Sequence, residues 1–467
     1  MKIDTGDKQI DELLTRGVGE FIDPDGAFVK KLKENPEKII IKFGVDPTRP
    51  DIHLGHAVVL KKLRQFQDLG CKVIFLVGDY TAQIGDPTGK SKIRPEIQIN
   101  EILENMKTYL NQIGSILKID EKVFSWIKNS DWFTDVSDIA QGLDPKIPDI
   151  EIIVGDEKKI YPNNFIGKAQ LLNESRMQLT HLKNSNIHTV SLSRVLGTLR
   201  RITHARLISR EMFQERIKNN EELYMHEMMY PILQGIDSSV LFNIYGYCDL
   251  EIGGTDQTFN MLIGRDIMKM YRQPEQSVVS IKILEGLDGK EKMSKSLDNY
   301  IGITDEPNDM YGKVMSIPDT SIINYFELCT NIPLDEIKKI EESLKDKNTN
   351  PKNIKMRLAK QIVLEYHGDK AAQEAEDQFE RTFSKGEIPD DVKKVEIKIG
   401  APLVDILIKN GMVESKSEFR RLVEEGAIKL NVNMEERKII DPASLIDTSG
   451  TIKIGKKRFI HITVQKK

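Results

Sequence analysis

The sequence predicts an α/β chain: a doubly wound parallel sheet, then an α-helical segment, then a small α+β module. Three observations carry this. From residue 39 to about 303, apolar strands alternate with amphipathic helical periods, the pattern of an open parallel sheet. Beyond Asp305 the pattern turns helical over 334–344, 353–366 and 371–383, with many charges on the outer faces. A polar, turn-rich stretch, Lys385-Gly-Glu-Ile-Pro-Asp-Asp391, then separates off a compact module over 401–467. The expected domains are 1–305, 306–391 and 392–467.

The first strand is read from 39–41 and Phe43-Gly-Val45, and the turn after it from Asp46-Pro-Thr-Arg-Pro50. A helix starts near Gly55, because Val58, Val59, Leu63, Phe66 and Leu69 recur at helical spacing until Gly70 stops them. His53 and His56 therefore sit at a helix N-terminus. Free N–H groups and the positive end of the dipole favour phosphate oxygens there, and Gly55 allows a nucleotide close to the backbone. Taken alone, the same turn is more often a capped helix start or a packed histidine.

The second strand, Cys71-Lys-Val-Ile-Phe-Leu-Val77, feeds the loop Gly85-Asp-Pro-Thr-Gly-Lys90, at the carboxyl end where such sheets bind ligands. From about 142 to 186, turn signals and weak periodicity mark an insertion in the connecting region. Tyr230, Gln234 and Asp237 stand at i, i+4 and i+7, so they share one face if helical. Set among Leu233, Ile236 and Val240, these polar groups need partners, either a ligand or neighbouring side chains. The strand at 278–283 leads to Lys292-Met-Ser-Lys-Ser296 on a loop. Two ammonium groups there could meet charge developing on a leaving pyrophosphate; a Lys-x-x-Lys pair alone reads as a solvated face.

Composition sets bounds. At 467 residues the chain holds two or three domains, and its hydrophobic share of 39% is that of an ordinary soluble protein. No apolar run is long enough to span a membrane, and Met1-Lys-Ile-Asp-Thr-Gly lacks an apolar signal region, so a cytoplasmic location is expected. Cys71, Cys248 and Cys329 are far apart and odd in number, which argues against a disulfide framework and a zinc site. A net charge of −4 gives no global nucleic-acid signature, so any RNA contact must come from local basic patches.

Seven ordered segments carry a resemblance: Gly44-Val-Asp-Pro-Thr48, His53-Leu-Gly-His56, Gly85-Asp-Pro-Thr-Gly-Lys90, Asn129-Ser-Asp-Trp132, Tyr230-x-x-x-Gln234-x-x-Asp237, Gly253-Gly-Thr-Asp-Gln257 and Lys292-Met-Ser-Lys-Ser296. With them the chain resembles the class I aminoacyl-tRNA synthetases and, within these, the bacterial tyrosyl-tRNA synthetases, from about residue 39 to the C-terminus. The resemblance implies a Rossmann-like nucleotide domain that joins L-tyrosine to ATP and passes the tyrosyl group to tRNA(Tyr). It implies that Asp237 accepts a hydrogen bond from the phenol, and that Asp86, Tyr230 and Gln234 hold the ammonium. Gly44, Asp46, Gly55, Gly254, Asp256, Gln257 and Lys295 would line the ATP and adenylate site. His53 and His56 would contact phosphates, with Lys90, Arg94, Lys292 and Lys295 closing over them. Lys42 departs from the pattern: one branch of the family has a tyrosine there that donates to the phenol, so an amine would have to do so here.

Ser415-Lys-Ser-Glu-Phe-Arg-Arg-Leu-Val-Glu-Glu-Gly-Ala-Ile-Lys-Leu-Asn431 resembles the S4 RNA-binding domain, with Phe419 and Leu422 inward and Lys416, Arg420 and Arg421 outward. The resemblance implies that this module and the helical segment before it grip tRNA. It implies a homodimer through roughly 134–213, magnesium only as the companion of ATP, no dedicated metal site, and neither DNA nor membrane as a partner. A tryptophanyl enzyme is the nearest rival, but it normally lacks the S4 tail. A decayed RNA-binding scaffold would be expected to have lost Lys90, Lys292 and Lys295, and a small-molecule nucleotidyltransferase would not need residues 306–467.

Overall fold

A computed structural model describes residues 5–49, 52–87, 97, 99–133, 150–154, 157–161, 190, 192–346, 348–381, 392–432, 435–455 and 458–465. Lys90, Arg94, most of the 142–186 insertion and the linker at 385–391 lie outside them. The chain forms two compact units, one of residues 1–304 with 317–349 and one of 305–316 with 350–467. No helix among the described residues is long and apolar enough to cross a membrane.

The first unit is built on six strands: β1 (Val18–Ile22), β2 (Ile40–Val45), β3 (Lys72–Val77), β4 (Phe124–Lys128), β7 (Leu250–Gly254) and β8 (Ser277–Ile281), with a separate hairpin of β5 (Ile150–Val154) and β6 (Glu157–Tyr161) within the insertion. Their order in the sheet is β1-β8-β7-β2-β3-β4. Strands β8, β7, β2, β3 and β4 run parallel, whereas β1 pairs antiparallel with β8. The sheet is thus mixed rather than parallel throughout. The edge strand lies upstream of the expected start at 39; its sequence, Val-Gly-Glu-Phe-Ile, is too short and polar for a period to show, and its register shifts between Val18 and Glu20.

The central strands are near-continuous apolar runs because helices cover both faces. The Leu54–Asp68 helix buries Leu54, Val58, Val59, Leu63 and Phe66. The Met225–Tyr245 helix packs against Thr258–Met270; an ideal Cβ on Gly235 would lie 2.8 Å from Ile267 Cδ1 and 3.1 Å from the Gly264 nitrogen, so a glycine is needed for this approach. The helices Ile322–Cys329 and Leu334–Leu344 belong to this unit, beyond the boundary at 305 read from sequence. Arg16 secures them: its guanidinium donates to the carbonyls of Glu327, Thr330 and Ile332 at 3.0, 2.6 and 2.7 Å. Losing it would leave buried carbonyls without donors, at about 1–3 kcal/mol for each one stranded.

The second unit contains the Pro307–Ser316 helix packed on Pro351–Phe379, which bends where Gly368 takes φ 83° and ψ 172°. Its last part is a five-stranded sheet in the order β12-β11-β14-β15-β9, made of β9 (Lys393–Lys398), β11 (Ile428–Val432), β12 (Glu435–Lys438), β14 (Gly450–Ile454) and β15 (Arg458–Gln465), beside the short pair β10 (Ala401–Pro402) and β13 (Leu445–Ile446). Leu403, Leu407, Phe419, Leu422, Ile452 and Ile460 form its core. The Lys416–Glu424 helix is capped by Ser415, whose hydroxyl accepts from the Glu418 N–H at 3.2 Å. Lys416, Arg420 and Arg421 stand exposed on its outer face.

Candidate active site

In the sheet order, β2 is the point from which the chain winds both ways, outward through β3 to β4 and, later, through β7 to β8. A crevice opens outside the carboxyl ends of strands at such a switch point. The recognised segments converge there: Asp46 follows β2, Asp86 lies beyond β3, Asn129 and Trp132 follow β4, Gly254 to Gln257 close β7, and Lys292 to Lys295 lie beyond β8.

At the turn after β2, the rings of His53 and His56 stack at 3.8 Å with an interplanar angle of 22°. The His53 N–H donates to His56 Nδ1 at 3.4 Å. Gly55 packs closely here: an ideal Cβ would sit 3.1 Å from the His53 ring, which would have to shift by a few tenths of an ångström, and 3.6 Å from Met293 Cβ. Burial holds the pKa of His53 down to about 2 and that of His56 to about 3, aided by Lys292 and Lys295, so both imidazoles are neutral at pH 7. His53 Nδ1 is buried with no hydrogen-bond partner among the described residues. Two amides of this helix start are already engaged, Leu54 N with Ile301 O and His56 N with His53 O, both at 2.9 Å. Imidazoles and lysines, more than this turn's amides, are thus the groups available to phosphate.

The loop beyond β8 lies directly over that turn, with Met293 buried and Lys292 Nζ donating to Asp256 Oδ2 at 2.6 Å. Lys295 Nζ lies 5.2 Å from the centre of the Tyr300 ring. An ideal Cβ on Gly254 would come within 2.4 Å of Asp256 Oδ1, so a larger residue there would displace that carboxylate. Asp256 Oδ1 is itself buried without a partner among the described residues.

Behind the crevice, the Met225–Tyr245 helix presents Tyr230, Gln234 and Asp237 together, even with Pro231 in its first turns. Tyr230 donates to Asp46 Oδ2 at 2.8 Å, and Asp46 Oδ1 accepts from Thr81 at 2.8 Å. Asp237 is held by Trp132 Nε1 at 2.9 Å and by Asn129 Nδ2 at 3.4 Å. Burial raises its pKa to about 7, against the opposing pull of Lys42, Trp132 and Asn129. Gln257 Nε2 donates to Asp86 Oδ2 at 2.6 Å.

Lys42 is fully buried, and its three N–H bonds are spoken for by Glu251 Oε1 at 2.8 Å, Gln234 O at 2.7 Å and Ser238 Oγ at 2.9 Å. Sequence reasoning left out several residues of this neighbourhood. Glu251 pairs with Lys42 across adjacent strands and accepts from Gln234 Nε2 at 3.0 Å. Asn260 Nδ2 donates to both Gln234 Oε1 and Gln257 Oε1 at 3.0 Å. Arg210 is buried near Asp86, Asp256 and Tyr230, whose charges oppose the downward shift that burial gives its pKa. One signal was available: a lysine inside one apolar strand and a glutamate inside another each need an opposite partner. Nothing in the local sequence marks Arg210 or Asn260. Among the described residues, no group of three His, Cys, Asp or Glu side chains could hold a metal ion.

The family described as tRNA synthetases class I (W and Y) matches residues 34–143 and 159–384. The chain is 37% identical to a tyrosine--tRNA ligase of Carboxydothermus hydrogenoformans, covering all of both proteins. It is also 37% identical to tyrosine--tRNA ligase 2 of Clostridium acetobutylicum, over 98% of this chain and 100% of that one. Among solved structures, a C-terminally truncated Aspergillus nidulans mitochondrial tyrosyl-tRNA synthetase aligns with a TM-score of 0.54 at 21% identity, over 80% of this chain and 94% of that one, which establishes a shared fold. With strand-end motifs gathered at the switch point of a doubly wound sheet and a family match over most of its length, the chain belongs to the class I tRNA synthetases, in the group for tryptophan and tyrosine.

Proposed function

We propose that this chain activates L-tyrosine with ATP to give tyrosyl-adenylate and pyrophosphate, then transfers the tyrosyl group to the 3′-terminal adenosine of tRNA(Tyr). The observation that carries this reading is Asp237, a buried carboxylate aimed by Trp132 and Asn129 from the same helical face as Tyr230 and Gln234. It can accept a hydrogen bond from a phenol. The relatives that match from end to end are called tyrosine--tRNA ligases, which favours tyrosine over tryptophan.

The chemistry needs no protein nucleophile. A carboxylate oxygen of tyrosine attacks the α-phosphorus, the bond to the β-phosphate oxygen breaks, and pyrophosphate leaves. A ribose hydroxyl of the tRNA then attacks the tyrosyl carbonyl and releases AMP. Catalysis rests on positioning and on meeting the charge that grows on pyrophosphate. We assign phosphate contact to the neutral imidazoles of His53 and His56, and charge neutralisation to Lys292, Lys295, Lys90 and Arg94. Asp86, Tyr230 and Gln234 are assigned to the ammonium of the substrate. Gly44, Asp46, Gly55, Gly254, Asp256 and Gln257 are assigned to the adenylate, where the partnerless Asp256 Oδ1 suits a nucleotide hydroxyl. Magnesium enters as part of the ATP substrate.

We assign activation to the domain of residues 1–305. Of the 306–391 segment, the helices Pro307–Ser316 and Pro351–Phe379 are assigned to recognition of the anticodon region. The module at 392–467 is assigned an S4-like role, in which Lys416, Arg420 and Arg421 contact RNA phosphates. A homodimer through the 134–213 region fits the exposure of Leu192 and Leu196, 73% and 51%, on one short helix. The test is charging of a tRNA(Tyr) transcript with labelled tyrosine: acid-stable, base-labile product is expected, and its absence with active, folded protein would overturn the transfer step.

A further inference from the structure

Lys42 and Glu251 face each other on the adjacent central strands β2 and β7, where their Cα atoms are register partners. Both are essentially without solvent contact, and the ion pair spans 2.8 Å. Burying two charges is costly unless every lone pair and proton finds a partner, and here they do. The ammonium donates to Glu251, to the Gln234 carbonyl and to the Ser238 hydroxyl. The carboxylate also accepts from Gln234 Nε2, from Ser238 Oγ at 3.2 Å and from Gln276 Nε2. Gly264 makes room for this cluster: an ideal Cβ on it would lie 2.8 Å from Gln276 Nε2 and 3.2 Å from both Glu251 Oε2 and Ser238 Oγ.

The pair therefore grips one turn of the Met225–Tyr245 helix, at its backbone through Gln234 O and at two side chains, and Asp237 lies inside that turn. From Gln234 the hydrogen bonds continue outward through Asn260 to Gln257 and on to Asp86. We propose that Lys42 and Glu251 are the positioning pair of the amino-acid pocket: the ammonium touches no substrate atom, and the pair fixes Gln234, Asp237 and, through Asn260 and Gln257, Asp86 in the geometry that receives tyrosine. This rests on the tyrosine reading given above. It reassigns Lys42, which the resemblance would place against the phenol, because all three of its protons already have protein acceptors.

The test compares Lys42→Met, Glu251→Gln, the double variant and Ser238→Ala with the wild type, well below each variant's melting temperature, in tyrosine-dependent pyrophosphate exchange. A positioning pair predicts that Lys42→Met raises the KM for tyrosine at least tenfold with little change in the KM for ATP. It predicts that the double variant recovers tenfold or more relative to Lys42→Met, in tyrosine kcat/KM and with a higher melting temperature, because no buried carboxylate is stranded. It predicts that the ratio of kcat/KM for tyrosine over phenylalanine falls in Lys42→Met, because Asp237 loses its aim, and recovers in the double variant, which has no lysine to touch a phenol. If the double variant is no better than Lys42→Met in either tyrosine kcat/KM or that ratio, Lys42 is a direct phenol contact and the proposal is overturned. Should Lys42→Met fail to fold, Ser238→Ala decides, since it keeps both charges: a several-fold rise in tyrosine KM at unchanged ATP KM supports the pair, and wild-type constants overturn it. Failure of the tyrosine reading would look different, because wild-type protein would then show no tyrosine-dependent exchange.

Discussion

Lys292 donates from Nζ to Asp256 Oδ2 at 2.6 Å, joining the loop beyond β8 to the carboxyl end of β7 across the mouth of the crevice. Lys292 is the more exposed partner, with 57% of its side chain accessible against 16% for Asp256. Lys292 can turn to a phosphate oxygen from its exposed side. Asp256, mostly buried and with Oδ1 already partnerless among the described residues, then needs another donor, which the nucleotide hydroxyl proposed for it would supply. Met293, packed over Gly55, anchors the loop while the lysine on either side keeps its reach.

Lys295→Ala is expected to lower the rate of adenylate formation about 10²–10³-fold, the typical cost of losing one preorganised charge-stabilising group, while the tyrosine dissociation constant stays nearly unchanged. Rapid-quench rates and equilibrium binding separate the two effects. An unchanged rate would remove Lys295 from the transition state.

Asp237→Ala should erode discrimination between tyrosine and phenylalanine by about tenfold to a hundredfold, the equivalent of the 1–3 kcal/mol that an unsatisfied buried polar group costs. ATP binding should hardly move. Specificity constants for the two amino acids check this, and a ratio within a few-fold of wild type would mean that another residue reads the hydroxyl.

The stacked pair of histidines gives stability a pH dependence whose sign is fixed. The fold lowers both pKa values from 6.5, to about 2 and about 3, so the unfolded chain binds more protons than the native one just below pH 6.5. Their contribution is present above pH 6.5 and is lost as the pH falls. Asp237 acts in the opposite direction: its pKa is raised from 3.8 to about 7, so the fold loses stability as the pH rises through that interval. His56→Asn should therefore flatten the acid limb of denaturant-derived stability between about pH 6 and 4, by up to ~1.4 kcal/mol per pH unit for the one proton removed. An acid limb of unchanged slope would show that His56 is not held neutral.

Much of this site was legible because its spacing is helical or its residues stand at strand ends. The face of Tyr230, Gln234 and Asp237 could be read from i, i+4 and i+7 despite Pro231, which falls early enough in the Met225–Tyr245 helix to leave its frame intact. The helix start at His53 could be read from the apolar period behind it. The pairing of Lys42 with Glu251 could not, since it depends on the register of β2 against β7, and those strands are about two hundred residues apart in sequence. Arg210 and Asn260 were missed because they are brought to the site by packing, without any local pattern. The edge strand β1 escaped because five residues containing Gly19 and Glu20 show no alternation.

Removing residues 401–467 should leave tyrosine-dependent exchange intact and weaken both the charging of tRNA(Tyr) and the salt dependence of its binding. For every RNA phosphate that the truncated chain no longer neutralises, the slope of log K against log salt should become shallower by about 1. The core of Leu403, Phe419 and Ile460 is internal to this module, so its removal should not unfold the sheet unit. Full charging by the truncated chain at unchanged salt slope would give the module another role.

The most direct measurement is exchange of labelled pyrophosphate into ATP with each of the twenty amino acids in turn. Tyrosine alone should support exchange, with phenylalanine slower by orders of magnitude and tryptophan inactive, because the buried carboxylate of Asp237 and the side chains that aim it are matched to a phenol. Exchange driven equally well by tryptophan or phenylalanine, or no exchange with any amino acid, would contradict the assignment of this pocket to tyrosine.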